Sequence, residues 1–184
     1  MDAIRALTQR VSVGKLKAPA PDDKQLDALR RAALRAADHA NLRPWRFLEV
    51  SGDRLSALGD LFCQAALESD PGLSEAQQER FRAMPLRAPM VTIAVARIVD
   101  HPKVPRDEQL ISAGCAVQNM LSAAYALGVG AYWRTGDLAF SRPLHKALGL
   151  AEDDQIVGFL YLGTPESGFR EAPSLDAGDF FQSW

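Results

Sequence analysis

The chain has 184 residues, 47% hydrophobic and 24% charged, a globular composition far from the apolar-poor, highly charged regime of disorder. That length suits a single domain over residues 1–184, and a net charge of -2 with no basic run removes the attraction on which nucleic-acid binding depends. No window approaches the roughly 18 apolar residues of a membrane span and the start carries no signal-like pattern, so the expectation is a cytoplasmic protein without a membrane or nucleic-acid partner.

Asp2 is placed to cap a first helix in which Ile4, Leu7 and Val11 recur at i, i+3 and i+7. The helix runs into Arg10-Val11-Ser12-Val13-Gly14-Lys15, two cations and a hydroxyl beside a glycine. A phosphate dianion needs charge-assisted donors from several directions, and the arginine fork grips two oxygens at once. The segment can therefore hold a phosphate. Basic residues at a helix C-terminus also complement its dipole, and spacing does not choose between the two readings.

Pro19 and Pro21 separate this helix from a second, which begins near Asp22 and lines up Leu26, Leu29 and Ala33. Arg35, Asp38, His39, Asn41 and Arg43 then crowd one loop, the kind of segment that carries function more often than a core does. His39 beside Asp38 suggests acid–base work, although adjacent side chains need not meet and an exposed histidine is the commoner case. Pro44 forces extended backbone before itself, and residues 45–50 read as a strand. Ser51-Gly52-Asp53 turns into a third helix with the stripe Leu55, Leu58, Leu61, Phe62, Ala65, ending near Pro71-Gly72. Residues 74–84 are charged and read as a surface helix or lid. The continuous β-branched run 90–96 suits a central strand buried on both faces.

Residues 107–127 form the longest helical pattern, small or apolar nearly all round in its middle, so it must be covered on most faces. One way to cover it is a second copy of the chain, and small residues permit the approach: a homodimer is expected. Gly128 and Gly130 end the helix, and residues 131–134 read as a short strand running out at Trp133-Arg134-Thr135. That segment offers a cation and a hydroxyl, or is an ordinary strand end. Ser141 caps a short helix through Leu148, and residues 156–162 read as a second buried strand. The tail from Pro165 closes on Phe180-Phe181-Gln182-Ser183-Trp184, has no core of its own, and is expected to dock on the partner subunit. Cys63 and Cys115 are far apart in apolar helical patterns, giving no disulfide framework and reading as buried packing residues. Strands separated by helices give a mixed α/β or α+β layered sheet.

No GxGxxG joins a strand to a helix, and neither a P-loop nor a GxSxG elbow is present. His39, His101 and His145 have no metal-ligand spacing, so no metal is expected.

Taken in order, the three polar segments resemble the nitroreductase family, whose pattern is an Arg-x-Ser near the N-terminus followed by Ser/Asn-x-x-Pro-Trp before the first strand. Here these are Arg10-Val11-Ser12 and Asn41-Leu42-Arg43-Pro44-Trp45. Lys103-Val104-Pro105-Arg106, Ser112-Ala113-Gly114-Cys115-Ala116-Val117, Trp133-Arg134 and the late Gly158-Phe159-Leu160-Tyr161-Leu162-Gly163-Thr164-Pro165 run in register with its short members. The resemblance spans nearly the whole chain, through an ordered set of motifs rather than one diagnostic motif.

The resemblance implies an α+β nitroreductase-like fold in three layers, with a central, mostly antiparallel sheet flanked by helices, assembled as an intertwined homodimer. It implies FMN in a pocket built by both subunits, NADH or NADPH as co-substrate, and a small-molecule acceptor such as a nitroaromatic or quinone, reduced in a ping-pong scheme. Carried over by position, Arg10 and Ser12 hold the FMN phosphate or ribityl chain, with Val11 contributing backbone at most and Lys15 contributing charge. Arg35 and His39 match flavin-contacting positions, as do Trp133, Arg134 and Thr135. The nicotinamide segment falls on Ala123, Ala124, Tyr125, Ala126, Leu127 and Gly128, which read equally as a plain helix end. No catalytic side chain is implied, because flavin N5 carries the chemistry; a cation near the pyrimidine edge, Arg35 or Arg10, would stabilise the reduced ring. Val11 and Lys15 replace usual arginines, Ala37 a proline and Arg43 a glutamine; Arg170 is a candidate replacement for the missing phosphate cation. Two other classes compete: a non-redox flavin-binding protein on the same fold, and a dimeric interaction protein whose aromatic residues are core and interface.

Overall fold

The apolar run 90–96 builds the centre of the molecule. In the computed structural model, which describes residues 1–184, it forms β3 (Met90–Ala96), buried at every position. β3 pairs antiparallel with β2 (Arg46–Ser51) on one side and β5 (Gln155–Pro165) on the other. β5 carries β4 (Gly130–Arg134) and, at its far end, the two-residue β1 (Leu16–Lys17), again antiparallel. A register shift between Ala94 and Val95 marks a bulge. β1 is absent from the periodicity reading, since two residues carry no alternation to detect.

Strand alternation sorts the β3 side chains into two cores. Val91, Ile93 and Val95 pack with Leu55, Leu58 and Phe62 of α3 (Arg54–Ser69) and with Leu144 of α6 (Arg142–Ala147). Met90 packs on the other face with Leu29 and Ala33 of α2 (Asp23–Ala33) and Ala116, Met120 and Ala124 of α5 (Arg106–Ala126). The result is the expected three-layer α+β arrangement, with an antiparallel sheet between helical layers. α4 (Glu75–Arg82) packs on α3, where Gly59 leaves room for the Arg82 carbonyl. No helix is long and apolar enough to cross a membrane.

The predicted caps set the helix starts. Asp2 accepts the Arg5 amide at 2.8 Å at the head of α1 (Ala3–Gln9), Asp22 forms a capping box with Gln25, and Ser141 caps α6. Two expectations are corrected. The stripe on α1 faces outward in the single chain, with Ile4 69% and Leu7 65% exposed while Val11 is buried. Cys115 is exposed, unlike the buried Cys63, because α5 turns one side away from its own sheet.

Candidate functional site

The N-terminal polar segment crosses the end of β4. Arg10 is the C-cap of α1, half-buried, and its guanidinium donates to Ser12 Oγ at 3.4 Å. Val11 turns its side chain into the interior, which leaves only its backbone for a ligand. The Val13 amide donates to the Ala131 carbonyl at 2.9 Å, fastening the segment to β4. Gly14 lies against Tyr132 and near Arg134, since a Cβ there would sit 3.4 Å from the Tyr132 ring and 4.0 Å from an Arg134 nitrogen. Lys15 follows with its side chain exposed, its carbonyl accepting from the Glu166 amide at 3.2 Å.

β4 alternation splits the predicted strand-end residues between the two faces. Trp133 points to the α5 side, donates from Nε1 to the Val157 carbonyl at 3.2 Å, and occupies the space that a side chain at Gly158 would fill. Tyr132 and Arg134 point to the α3 side. The Arg134 guanidinium carbon lies 4.2 Å above the Tyr132 ring and 5.6 Å from that of Tyr161. Arg134 Nε is buried without a hydrogen-bond acceptor. Thr135 is exposed beside Gly136, where the chain leaves the strand at φ 75°. The fold thus lays the Arg10–Lys15 segment along β4, with Gly14 the residue that approaches Tyr132 and Arg134.

Arg35 and His39 sit elsewhere, on the loop between α2 and β2. Arg35 is exposed on the rim of a cavity of about 490 Å³ shared with Asp38, Asn41, Arg43 and Trp45. His39 Nδ1 meets Glu108 Oε2 of α5 at 2.7 Å, both side chains half exposed. Asp38 does not meet His39; its carboxylate accepts the amides of Leu42 at 3.2 Å and Arg43 at 2.7 Å. Those bonds hold a backbone in which Ala40, Asn41 and Arg43 all have positive φ, at 62°, 55° and 50°. Three non-glycine residues in the left-handed region within four positions is stored strain, the kind that collects at ligand-binding loops.

The nicotinamide segment ends α5. The Val129 amide donates to the Ala124 carbonyl at 2.8 Å and the Gly128 amide to Tyr125 at 3.1 Å, with Gly128 at φ 75°: a Schellman helix stop. Ala124 is buried, Tyr125 is covered edge-on by Phe169 at 4.9 Å, Ala123 and Ala126 are half-buried, and Leu127 and Gly128 are exposed. Arg170 follows Phe169 and is exposed at that end of α5.

The sequence reading missed Arg80, Arg87 and the tyrosines Tyr132 and Tyr161, which close on Arg134 from the α3 side. Burial raises the Tyr161 phenol above its ordinary value, with Arg87 and Arg134 acting in the opposite direction. No sequence signal marks them; only in the fold does Arg82 find Asp60 and Glu79 while Arg80 and Arg87 enter no ion pair.

Comparison with known proteins bears on the family and the fold. The profile described as "Nitroreductase family" matches residues 7–164. A protein of Escherichia coli (strain K12) named "Putative NAD(P)H nitroreductase YdjA" is 42% identical over 179 residues, covering 97% of this chain and 96% of its own. Among solved structures, a nitroreductase-like family protein from Bacillus cereus superposes with TM-score 0.84 at 19% identity, covering 100% of this chain and 96% of that one. A nitroreductase with bound FMN from Bacteroides fragilis superposes with TM-score 0.75 at 21% identity, covering both chains fully.

Proposed function

The chain belongs to the nitroreductase family, and from that premise we propose that it is an FMN-dependent oxidoreductase that takes hydride from NADH or NADPH and reduces an electron-poor organic acceptor. Nitroaromatics, quinones and related conjugated compounds form the acceptor class. The observation that carries the reading is the pairing of Arg10 with Ser12 on a segment fastened along β4, whose Gly14 lies near the Arg134 guanidinium.

These residues fit the group. Arg10 and Ser12 already lie within reach of each other, so a phosphate at this point finds a guanidinium and a hydroxyl together, with Lys15 close in sequence. Trp133, Arg134 and Thr135, at the end of β4, would supply the remaining flavin contacts, a reading supported by their match in position to the family's flavin-contacting strand end. When bound, FMN supplies a ring that accepts and returns hydride. The chain's task is then to bind, orient and exclude water, and no side chain needs to act as acid, base or nucleophile. Leu127 and Gly128 are the exposed part of the segment assigned to nicotinamide.

Arg35 and His39 are positioned to serve a second copy. Their loop is strained, and the cavity it borders is lined without Arg10, Ser12 or Lys15. The outward apolar residues Ile4 and Leu7 of α1, Ile111 of α5 and the tail residues Phe180, Phe181 and Trp184 provide surface for a homodimer. A soluble family member of this kind would act in the cytoplasm.

The test is an anaerobic absorbance titration of the FMN-loaded protein with NADH and with NADPH, then with the acceptor panel. Bleaching by at least one nicotinamide and recovery of the oxidised spectrum on adding acceptor is the expected result. A flavin spectrum that neither nicotinamide bleaches would replace this reading with non-redox flavin binding.

A further inference from the structure

A cavity of about 370 Å³ opens between the C-terminal end of α3, one side of α4 and the turn that leads from β4 into α6. It shares Leu138 with the cavity beside Arg134 and no other residue, and none of the residues assigned above to flavin or nicotinamide lines it. Leu73, Phe81, Leu138 and Phe140 give it apolar walls. Phe140 leaves 70% of its surface uncovered and stacks on no other ring of the chain.

No cation lines this cavity. Its charges are the carboxylates of Asp70 and Asp137, and neither enters an ion pair. α3 adds charge of the same sign. Its last turn carries Glu68 and no basic residue, whereas α2, α4 and α6 each place basic residues where they answer the negative end of the helix dipole. Negative potential is therefore gathered beside an uncovered aromatic face, with no counter-charge from the chain itself.

The two features together select the ligand. A metal ion would leave the ring uncovered, and two aspartates fall short of the oxygen shell that calcium or magnesium requires; no group of three or more candidate metal ligands exists in the chain. A neutral apolar molecule would cover Phe140 and leave both carboxylates unanswered. A cation carried on an apolar body meets both demands, because the ammonium faces the carboxylates while the body lies on the phenylalanine rings.

We propose that this cavity binds an organic ammonium ion, a protonated amine attached to an aromatic or alkyl body. The site is separate from the flavin and does not depend on the redox function proposed above.

The test is a titration of the isotope-labelled, FMN-loaded protein with 2-phenylethylammonium and with its neutral counterpart 2-phenylethanol, followed by amide chemical shifts. Shifts are expected at Asp70–Leu73 and Asp137–Ser141, with the ammonium bound about fivefold or more tightly than the alcohol, as a carboxylate and a ring face acting together would give. Asp137→Asn should collapse that preference. Phe140→Ala should weaken both ligands alike. Circular dichroism checks that each variant is folded, and the visible flavin spectrum of the loaded protein should stay unchanged throughout. Equal affinity for the two ligands, a preference that survives Asp137→Asn combined with Asp70→Asn, or shifts confined to residues near Arg134 would overturn the site. Halving of the sedimenting mass by Asp137→Asn would also overturn it, by giving the cavity to a second copy of the chain. Should the protein take up no FMN, the redox reading fails by itself, and the same titration of the flavin-free protein still decides the cavity.

Discussion

Arg10 illustrates how far one residue's chemistry reaches. A guanidinium at a helix end is ambiguous in the sequence, because the same residue type complements a helix dipole. Its contact with Ser12 and the attachment of Val13 to Ala131 hold the segment against β4. Arg10→Ala is expected to weaken FMN binding by tenfold or more, measured by equilibrium dialysis, since charge-assisted bonds to phosphate are each worth about 1.5–3 kcal/mol; unchanged FMN affinity would refute the phosphate role. Tyr161 gives a separate pH signature. Its phenol is held above 10.0 when folded, so the unfolded chain loses that proton first and the stabilisation is complete below pH 10. It is lost as pH rises through the folded value. Tyr161→Phe should flatten the alkaline fall in urea midpoint, and an identical fall in both proteins would count against a buried phenol. Neither Tyr161 nor Arg87 stood out in the sequence, because one sits inside a strand-like apolar run and the other just before a strand. Only the folded chain shows that both face Arg134.

Elements with a strong period or a cap were the most legible. The uninterrupted run 90–96, the helix start at Asp22, and the glycines after α5 each state a local rule that the fold keeps. β1 and the left-handed turns at Ala40, Asn41 and Arg43 obey no such rule: a two-residue strand is fixed by its partner β5, and the turns are fixed by the Asp38 carboxylate. The packing of β4 on β5 supplies a test of its own. Gly158 is a position where the Trp133 indole takes the volume of a side chain. Gly158→Ala is expected to destabilise the protein by about 1–3 kcal/mol, the usual cost of overpacking, and to alter Trp133 fluorescence. A urea midpoint unchanged from wild type would show that the indole moves aside freely.

At the scale of the whole molecule, one chain holds two separated groups of candidate ligands. Arg10, Ser12 and Lys15 stand on a segment fastened to β4, while Arg35 and His39 stand on a strained loop beside α5. The small-residue middle of α5 and the aromatic tail pointed to a second copy from the sequence alone, and the outward faces of Ile4, Leu7 and Cys115 are consistent with one. What the sequence could not convey is that the loop's cavity is lined without any of the N-terminal group, since that depends on how the two segments pack. The account therefore rests on a flavin held between two copies. Sedimentation of the FMN-loaded protein, followed at the visible flavin band, measures this directly: the colour should travel with a particle of twice the 20.1 kDa chain mass. Colour that remains at the top as free FMN, or that moves with single chains, would contradict it.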